Sequence, residues 1–210
     1  LTDMTQTRRT KSREKILAAG ERLFLEHAYL GTSMDAVTEA AGVSKQTVYA
    51  HFASKEALFL SVVAHMVGSS TDMHSDMVKT PSPDTPLPEY LRAYARENLR
   101  IAMTPRLMQI RRLVIGELPR FPELAESLWT HGPAASIAML TEALVLYQAS
   151  GEAKAGDPAR LAAQFNWLVM GGPTSEAMLL GDAALPSLEE QERHADECTQ
   201  IFLAAIATRD

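Results

Sequence analysis

The chain has a single cysteine, Cys198, among its 210 residues. An internal disulfide is therefore excluded, which agrees with a reducing compartment. No uninterrupted apolar run reaches the ~18 residues of a membrane span. The amino terminus also lacks the basic-then-hydrophobic pattern of a secretory signal, so no membrane partner is expected and the expected location is cytoplasmic. No phosphate loop, dinucleotide fingerprint, nucleophile elbow or metal-binding histidine pair is present. His194 and Cys198 stand at i, i+4, which is fewer ligands than a zinc site takes. They lie on an amphipathic segment whose apolar stripe is Leu188, Ala195, Cys198 and Phe202, so packing is the expected role of Cys198. Glu117, Glu123 and Glu126 offer carboxylates with no further catalytic signature. The expectation is a protein that is not an enzyme and that needs no cofactor and no metal.

The charge is unevenly distributed. The formal net charge is -6, yet residues 1–60 carry 8 Lys plus Arg against 7 Asp plus Glu. The remaining residues carry 12 against 19. Arg8, Arg9, Lys11, Arg13 and Lys15 form a basic arm over 8–15, opposed there only by Glu14. Such an arm suits a polyanion, while the acidic remainder calls for a different task.

The stretch from Thr32 to Lys55, TSMDAVTEAAGVSKQTVYAHFASK, reads as two short helices hinged at Gly42 and followed by a third. Thr32 or Ser33 can cap the first, and Thr32 with Asp35 has capping-box spacing. Val37, Ala40 and Ala41 recur at helical spacing, and Gly42 offers a left-handed ending. Val43 serves as an apolar plug. Ser44 caps a helix over 45–51 whose Val48, with Phe52 just beyond, points inward. The outer residues Lys45, Gln46, Thr47, Tyr49 and His51 are donors or donor-acceptors sized for base edges and phosphates, and no acid interrupts them. Ser54 caps the next helix, and the Lys55 ammonium lies close enough to the turn for a phosphate. The preceding helix, about Lys11 to Ala28, gathers Ile16, Ala19 and Leu23 with Leu17 and Phe24, and Gly20 permits a close neighbour.

From about Thr10 to Phe59 the chain closely resembles the DNA-binding domain of TetR-family transcriptional regulators. The resemblance rests on Gly31-Thr32-Ser33, Ala40-Ala41-Gly42-Val43-Ser44, Tyr49-x-His51-Phe52 and Lys55-Glu56-x-Leu58 taken together. It implies that Ser44, Lys45, Gln46 and Thr47 open a recognition helix and read bases, Gln46 suiting adenine and Lys45 guanine or a phosphate. It likewise implies that Thr32, Ser33, Tyr49, His51 and Lys55 hold the sugar-phosphate backbone.

After Phe59 the composition turns to long Ala-, Leu- and Met-rich segments without β-branched alternation. Helices are predicted from Lys55 to about Asp76, Glu89 to Met103, Pro105 to Leu118, about Glu123 to Gln148 with a break near Gly132-Pro133, Pro158 to Gly171, and Leu188 to Ala207. TPSPDTPLP, Thr80 to Pro88, is a loop. The first of these helices sets Leu58, Val62, Met66 and Met73 on one face. Asp157-Pro158 and Ser187 with Glu190 mark helix starts. An angular step of about 100° per residue places Tyr90, Leu91, Tyr94, Ala95, Ile101 and Ala102 in one arc around Asn98. On the helix from Pro158, Leu161, Phe165, Leu168 and Val169 form one face, and Ala163, Trp167 and Met170 line much of the other, with Asn166 between. A helix apolar nearly all round is deeply buried or shared between a core and a second interface. Glu117 and Arg120 straddle Pro119, which argues against a helical pair.

This half resembles the TetR family in architecture, and Arg111 to Pro133 also resembles a motif of one broad TetR subgroup. The architecture implies an effector pocket and a homodimer through the last two long helices. Candidate effector contacts are Met66, Tyr94, Asn98, Met103, Trp129, Asn166 and Met170, with thioether and aromatic walls suited to a largely apolar small molecule. The fold expected is all-α: a helix-turn-helix DNA-binding domain over 1–58, joined by a long helix to a helical effector-binding and dimerisation domain over 59–210. The expected function is a ligand-responsive repressor on a palindromic double-stranded DNA operator. The alternative is a constitutive DNA-binding or protein-docking module with no effector.

Overall fold

The computed structural model describes residues 2–71, 76–82, 84–154 and 156–206, the side chains of 2–8, 68–71, 76 and 77 excepted. Met73 and Ala207 therefore lie outside the described residues, as does the Arg8 side chain. Among the described residues eleven α-helices follow one another: α1 (Thr2–Gly31), α2 (Met34–Ala41), α3 (Lys45–His51), α4 (Lys55–Thr71), α5 (Asp76–Lys79), α6 (Leu87–Ala102), α7 (Pro105–Gly116), α8 (Pro122–Trp129), α9 (Ala135–Ala149), α10 (Pro158–Leu180) and α11 (Leu188–Ile206). No β-strand occurs among the described residues. The all-α expectation holds.

Two compact units result. Residues 1–69 and 109–127 form the first, and residues 70–108 and 128–210 the second. In the first, Ile16, Leu17, Ala19, Leu23 and Phe24 of α1 are buried, as their spacing predicts. A Cβ on Gly20 would stand 2.9 Å from Val62 Cγ2, so the absent side chain is what lets α4 approach α1. Val37 and Ala41 face the core of α2, whereas Ala40 is exposed. Phe59 and Phe121 meet at 5.1 Å between ring centroids, which shows how residues 109–127 join this unit.

In the second unit α10 packs along α9, and α11 along α6. The α6 arc is buried throughout, from Tyr90 to Ala102, with Asn98 inside it. Arg96 grips Asp196 in a bidentate pair at 3.0 and 2.7 Å, fastening α6 to α11. Three sequence-predicted caps are in place. Ser44 accepts from the Thr47 amide at 3.2 Å, and Asp157 accepts from Ala159 at 3.0 Å. Ser187 and Glu190 close a reciprocal capping box, in which Glu190 accepts from the Ser187 amide at 2.8 Å. Those bonds hold the Glu190 carboxyl below its ordinary pKa.

Several expectations are corrected. The break near Gly132-Pro133 is a π-helical turn, Thr130–Ala134, through which α8 continues into α9. The α10 helix does not stop at Gly171 but runs on to Leu180 with Pro173 inside it. Proline has no N–H, so the Val169 carbonyl loses its i+4 donor. His194 Nε2 supplies one from α11 at 2.9 Å, which fixes the ring as the Nε2–H tautomer. Cys198 Sγ donates to Leu168 O at 3.4 Å in the next position. Residues 194 and 198 thus splice a proline-interrupted helix. Leu168 and Leu188, placed on inward stripes by spacing, are exposed. Glu117 and Arg120 form no helical pair, as Pro119 predicts, but the tight turn after Gly116, in which Arg120 N bonds Glu117 O at 3.0 Å, brings their side chains to 2.7 Å.

His194→Ala should leave the Val169 carbonyl unpaired and lower stability by about 1–3 kcal/mol, with His194→Gln recovering part of the loss. Urea unfolding followed by circular dichroism measures both. Equal midpoints for the alanine variant and the parent would refute the splice.

Candidate nucleic-acid interface

The turn between α2 and α3 is built by local chemistry. Gly42 adopts φ 63° and ψ 37°, and its amide reaches back to close α2. Ser44 then caps α3, and its hydroxyl lies 2.8 Å from Thr47 Oγ1. Val48 and Phe52 are buried, which turns the opposite side of α3 outward. Ser44, Lys45, Gln46 and Tyr49 are exposed there, with Thr47 and His51 partly so. Lys45 Nζ sits 2.7 Å from Asp35 Oδ1 on α2, and this contact raises the ammonium pKa. Lys45 therefore has an acidic partner supplied by the neighbouring helix, a pairing that inspection of α3 alone does not reveal.

The basic arm of the sequence is the first part of α1, and it runs beside α3. Ser12 Oγ and His51 Nε2 share a hydrogen bond of 2.8 Å. The Arg13 guanidinium lies 5.5 Å from the Phe52 ring centroid. Arg9, Ser12, Ser44, Gln46, Thr47 and His51 line one shallow concavity, and Arg9, Thr10, Arg13 and His51 line another. Ser12, Arg9 and Thr10 belong to this surface although the α3 pattern does not name them. Partial burial lowers the His51 pKa first, and Arg9 and Arg13 lower it further. Around neutrality the ring is uncharged between two guanidinium groups, an electropositive setting with an ionisable group poised inside it.

Thr32, Ser33 and Lys55 divide differently. Ser33 is the cap of α2, accepting from Ala36 N at 3.1 Å. The Thr32–Asp35 capping box does not form. Thr32 is buried, and its hydroxyl donates to Ala28 O at 2.9 Å and Leu23 O at 3.1 Å. The helix α1 is broken at Ala28, which holds φ 56° and ψ -176°, a conformation close to glycine-only space. Lys55 Nζ donates to Tyr29 O and Thr32 O, both at 3.0 Å, and lies 4.3 Å above the Tyr29 ring. Two of its ammonium donors are therefore committed inside the protein.

The candidate effector residues fall into separate settings. Tyr94 OH donates to Ser136 O at 3.1 Å and to Asn166 Oδ1 at 3.3 Å. Asn98 Nδ2 donates to Tyr94 O at 3.1 Å. These three residues are buried, and burial keeps the Tyr94 phenol protonated as a neutral donor. Met103 and Met170 belong to the same buried cluster as Tyr94. Trp129 is 50% exposed and stacks on Trp167 at 6.1 Å, so it covers surface more than it lines the core. Met66 is buried in the first unit.

Lys55→Met should remove both carbonyl bonds and destabilise the first unit by about 1–3 kcal/mol. Denaturant unfolding tests this, and an unchanged midpoint would show that the ammonium does not hold the turn.

Comparison with known proteins agrees with this geometry. Residues 16–62 match the family described as bacterial regulatory proteins, tetR family. Residues 89–208 match the AefR-like transcriptional repressor, C-terminal domain. A TetR-family regulator of known structure from Mesorhizobium loti is 30% identical, with 96% of this chain and 99% of that chain covered and a TM-score of 0.84. The Flavonoid-responsive Regulator FrrA is 34% identical over 96% of this chain and 100% of its own, with a TM-score of 0.75. The transcriptional repressor AcnR of Corynebacterium glutamicum is 42% identical over 53 residues, 25% of this chain and 28% of that protein. The transcriptional activator FasR of Mycolicibacterium smegmatis is 37% identical over 59 residues, 28% of this chain and 27% of that protein. The match thus spans little more than a quarter of these curated relatives. The chain belongs to the TetR family of bacterial transcriptional regulators.

Proposed function

We propose that the chain is a ligand-responsive repressor in which residues 1–58 bind a palindromic operator and residues 59–210 provide dimerisation and effector recognition. The observation that carries this reading is the exposed α3 face beside the arginines of α1. Ser44, Lys45, Gln46 and Thr47 are its base readers, with Gln46 offering a paired donor and acceptor. Tyr49, His51, Ser33 and Lys55 hold phosphates, Lys55 through what its internal bonds leave free. Thr32 contributes through its place at the turn, since its hydroxyl is spent inward. Lys45 exchanges Asp35 for DNA as it binds.

A helix as short as α3 reads only a few base pairs, so two copies are required. Trp167, Leu168, Leu179 and Leu180 on α10 and Ile201 on α11 are exposed apolar side chains, which supports pairing through the last two long helices. The effector is a small, largely apolar molecule recognised around Tyr94, Asn98, Met103, Asn166 and Met170. FrrA is named for its response to flavonoids, which supports an aromatic ligand class here. Ligand must favour the arrangement that does not fit the operator, because it shifts the equilibrium only through differential affinity. The site of action is the cytoplasm. No helix among the described residues is long and apolar enough to cross a membrane.

Selection from random duplex DNA should yield a two-fold symmetric site, and light scattering should give a dimer. Gln46→Ala should then cost about 1–3 kcal/mol at one base position in each half-site while leaving other positions unchanged. A uniform loss over all sequences would remove Gln46 from the readers.

His51 gives a pH signature. A phosphate beside Arg9, Arg13 and His51 offsets the charge that lowers the ring pKa, so DNA binding takes up a proton. Operator affinity should therefore rise from about pH 7.5 to about pH 6, and more steeply in the parent than in His51→Asn. Identical pH slopes by fluorescence anisotropy would exclude His51 from the phosphate contact.

A further inference from the structure

The hydrogen bonds around Ser12 decide which nitrogen of His51 carries a proton. Ser12 Oγ lies 2.9 Å from Arg9 O and 2.8 Å from His51 Nε2. A carbonyl only accepts, and a hydroxyl has a single proton to give. The Ser12 proton goes to Arg9 O, so the second bond forms only if His51 Nε2–H donates to Ser12 Oγ. Donation runs from ring to hydroxyl to the α1 backbone. With Nε2 committed, Nδ1 is the lone-pair nitrogen of the neutral ring and the one that takes up a proton. The Ser12 bond survives that uptake, because Nε2 carries its hydrogen in both states.

The surroundings suit a phosphate. His51 shares one concavity with Arg9, Thr10 and Arg13 and another with Arg9, Ser44, Gln46 and Thr47. Arg9 and Arg13, both on α1, are the charged groups that line them. The other lining groups from α3 and the turn before it are uncharged, and no described residue of α2 or α4 lines either concavity. Partial burial and the two arginines favour the neutral ring in the free protein. A neutral ring bonded to Ser12 has a lone pair, not a donor, to offer a phosphate oxygen. We propose that Ser12 is a positioning residue for DNA contact: by holding His51 through Nε2 it restricts the phosphate bond to the protonated ring, donating from Nδ1. The proposal rests on the DNA-binding reading of this face and adds the residue that sets its pH response. Without the Ser12 hydroxyl the neutral ring is free to take the Nδ1–H form, and it then donates to phosphate with no proton uptake. Loss of Ser12 therefore weakens binding at acid pH, where the protonated ring loses its anchor, and spares it at alkaline pH. A merely structural role would weaken binding alike at every pH.

The test uses the full chain in two measurements. NMR of the imidazole nitrogens in DNA-free protein at about pH 8 reads the tautomer of the neutral ring, the His51 signals being those that vanish in His51→Asn. The parent and Ser12→Thr should show Nε2–H, and Ser12→Ala a mixture of both forms. Alanine is the better helix former, so Ser12→Ala keeps α1 intact. Fluorescence anisotropy with a labelled duplex of mixed sequence then follows affinity between about pH 6 and about pH 8, since a phosphate contact needs no particular base. Ser12→Ala should lose about 3- to 10-fold in affinity at the acid end and nothing at the alkaline end, which flattens the slope, and Ser12→Thr should restore it. An Nδ1–H ring in the parent, or an equal loss by Ser12→Ala at every pH, would overturn the proposal. A pH slope that His51→Asn leaves unchanged, with the Nε2–H ring present in the parent, would refute the phosphate reading of His51 itself and not the hold of Ser12 on the ring.

Discussion

The Lys55 ammonium closes on the carbonyls of Tyr29 and Thr32, and the DNA-facing helices take their positions from that contact. It joins the first turn of α4 to the stretch where α1 breaks and α2 begins. Ala28 bears the break in a backbone region that costs on the order of 1–3 kcal/mol for a side-chain-bearing residue. The strain persists because Thr32 donates to the Ala28 and Leu23 carbonyls and because Tyr29 is wedged among Phe24, Phe59 and Phe121. With the break fixed, Ser33 falls into place as the α2 cap, Gly42 turns the chain, and α3 presents Gln46 outward beside Arg9. Sequence acts here on local structure, local structure on packing, and packing on the recognition face.

Features governed by neighbours in sequence were legible before any coordinates. The caps at Ser44, Asp157 and Ser187, the buried stripe of α1, and the close approach at Gly20 each depend on residues within a turn or two, or on a missing side chain. What could not be read depends on partners distant in sequence. Gly171, Gly172 and Pro173 signal a stop, yet the compensating donor is His194 on another helix. Ala28 gives no sign of a break because the strained residue is not glycine. The donor pattern of Thr32 and Lys55 suggested phosphate contact and gave no sign that both also donate to backbone carbonyls at the end of α1. Asp35 against Lys45 is likewise visible only once α2 and α3 are packed.

The same distinction bears on where the chain divides. By composition the chain divides near Phe59, basic before and acidic after. By packing, residues 109–127 belong with α1 to α4. The Glu117–Arg120 turn brings Arg120 and Phe121 against Tyr29 and makes the end of α7 part of the scaffold that sets the α1 break.

Native-state hydrogen exchange tests this organisation most directly, because segments that pack as one cooperative unit open with a common free energy. Amides of residues 113–121 should share their opening free energy with α1 and α4, and Lys55→Met should lower all three together. Opening of residues 113–121 in step with α6 and α10, unaffected by Lys55→Met, would contradict the claim that the end of α7 belongs to the DNA-binding scaffold.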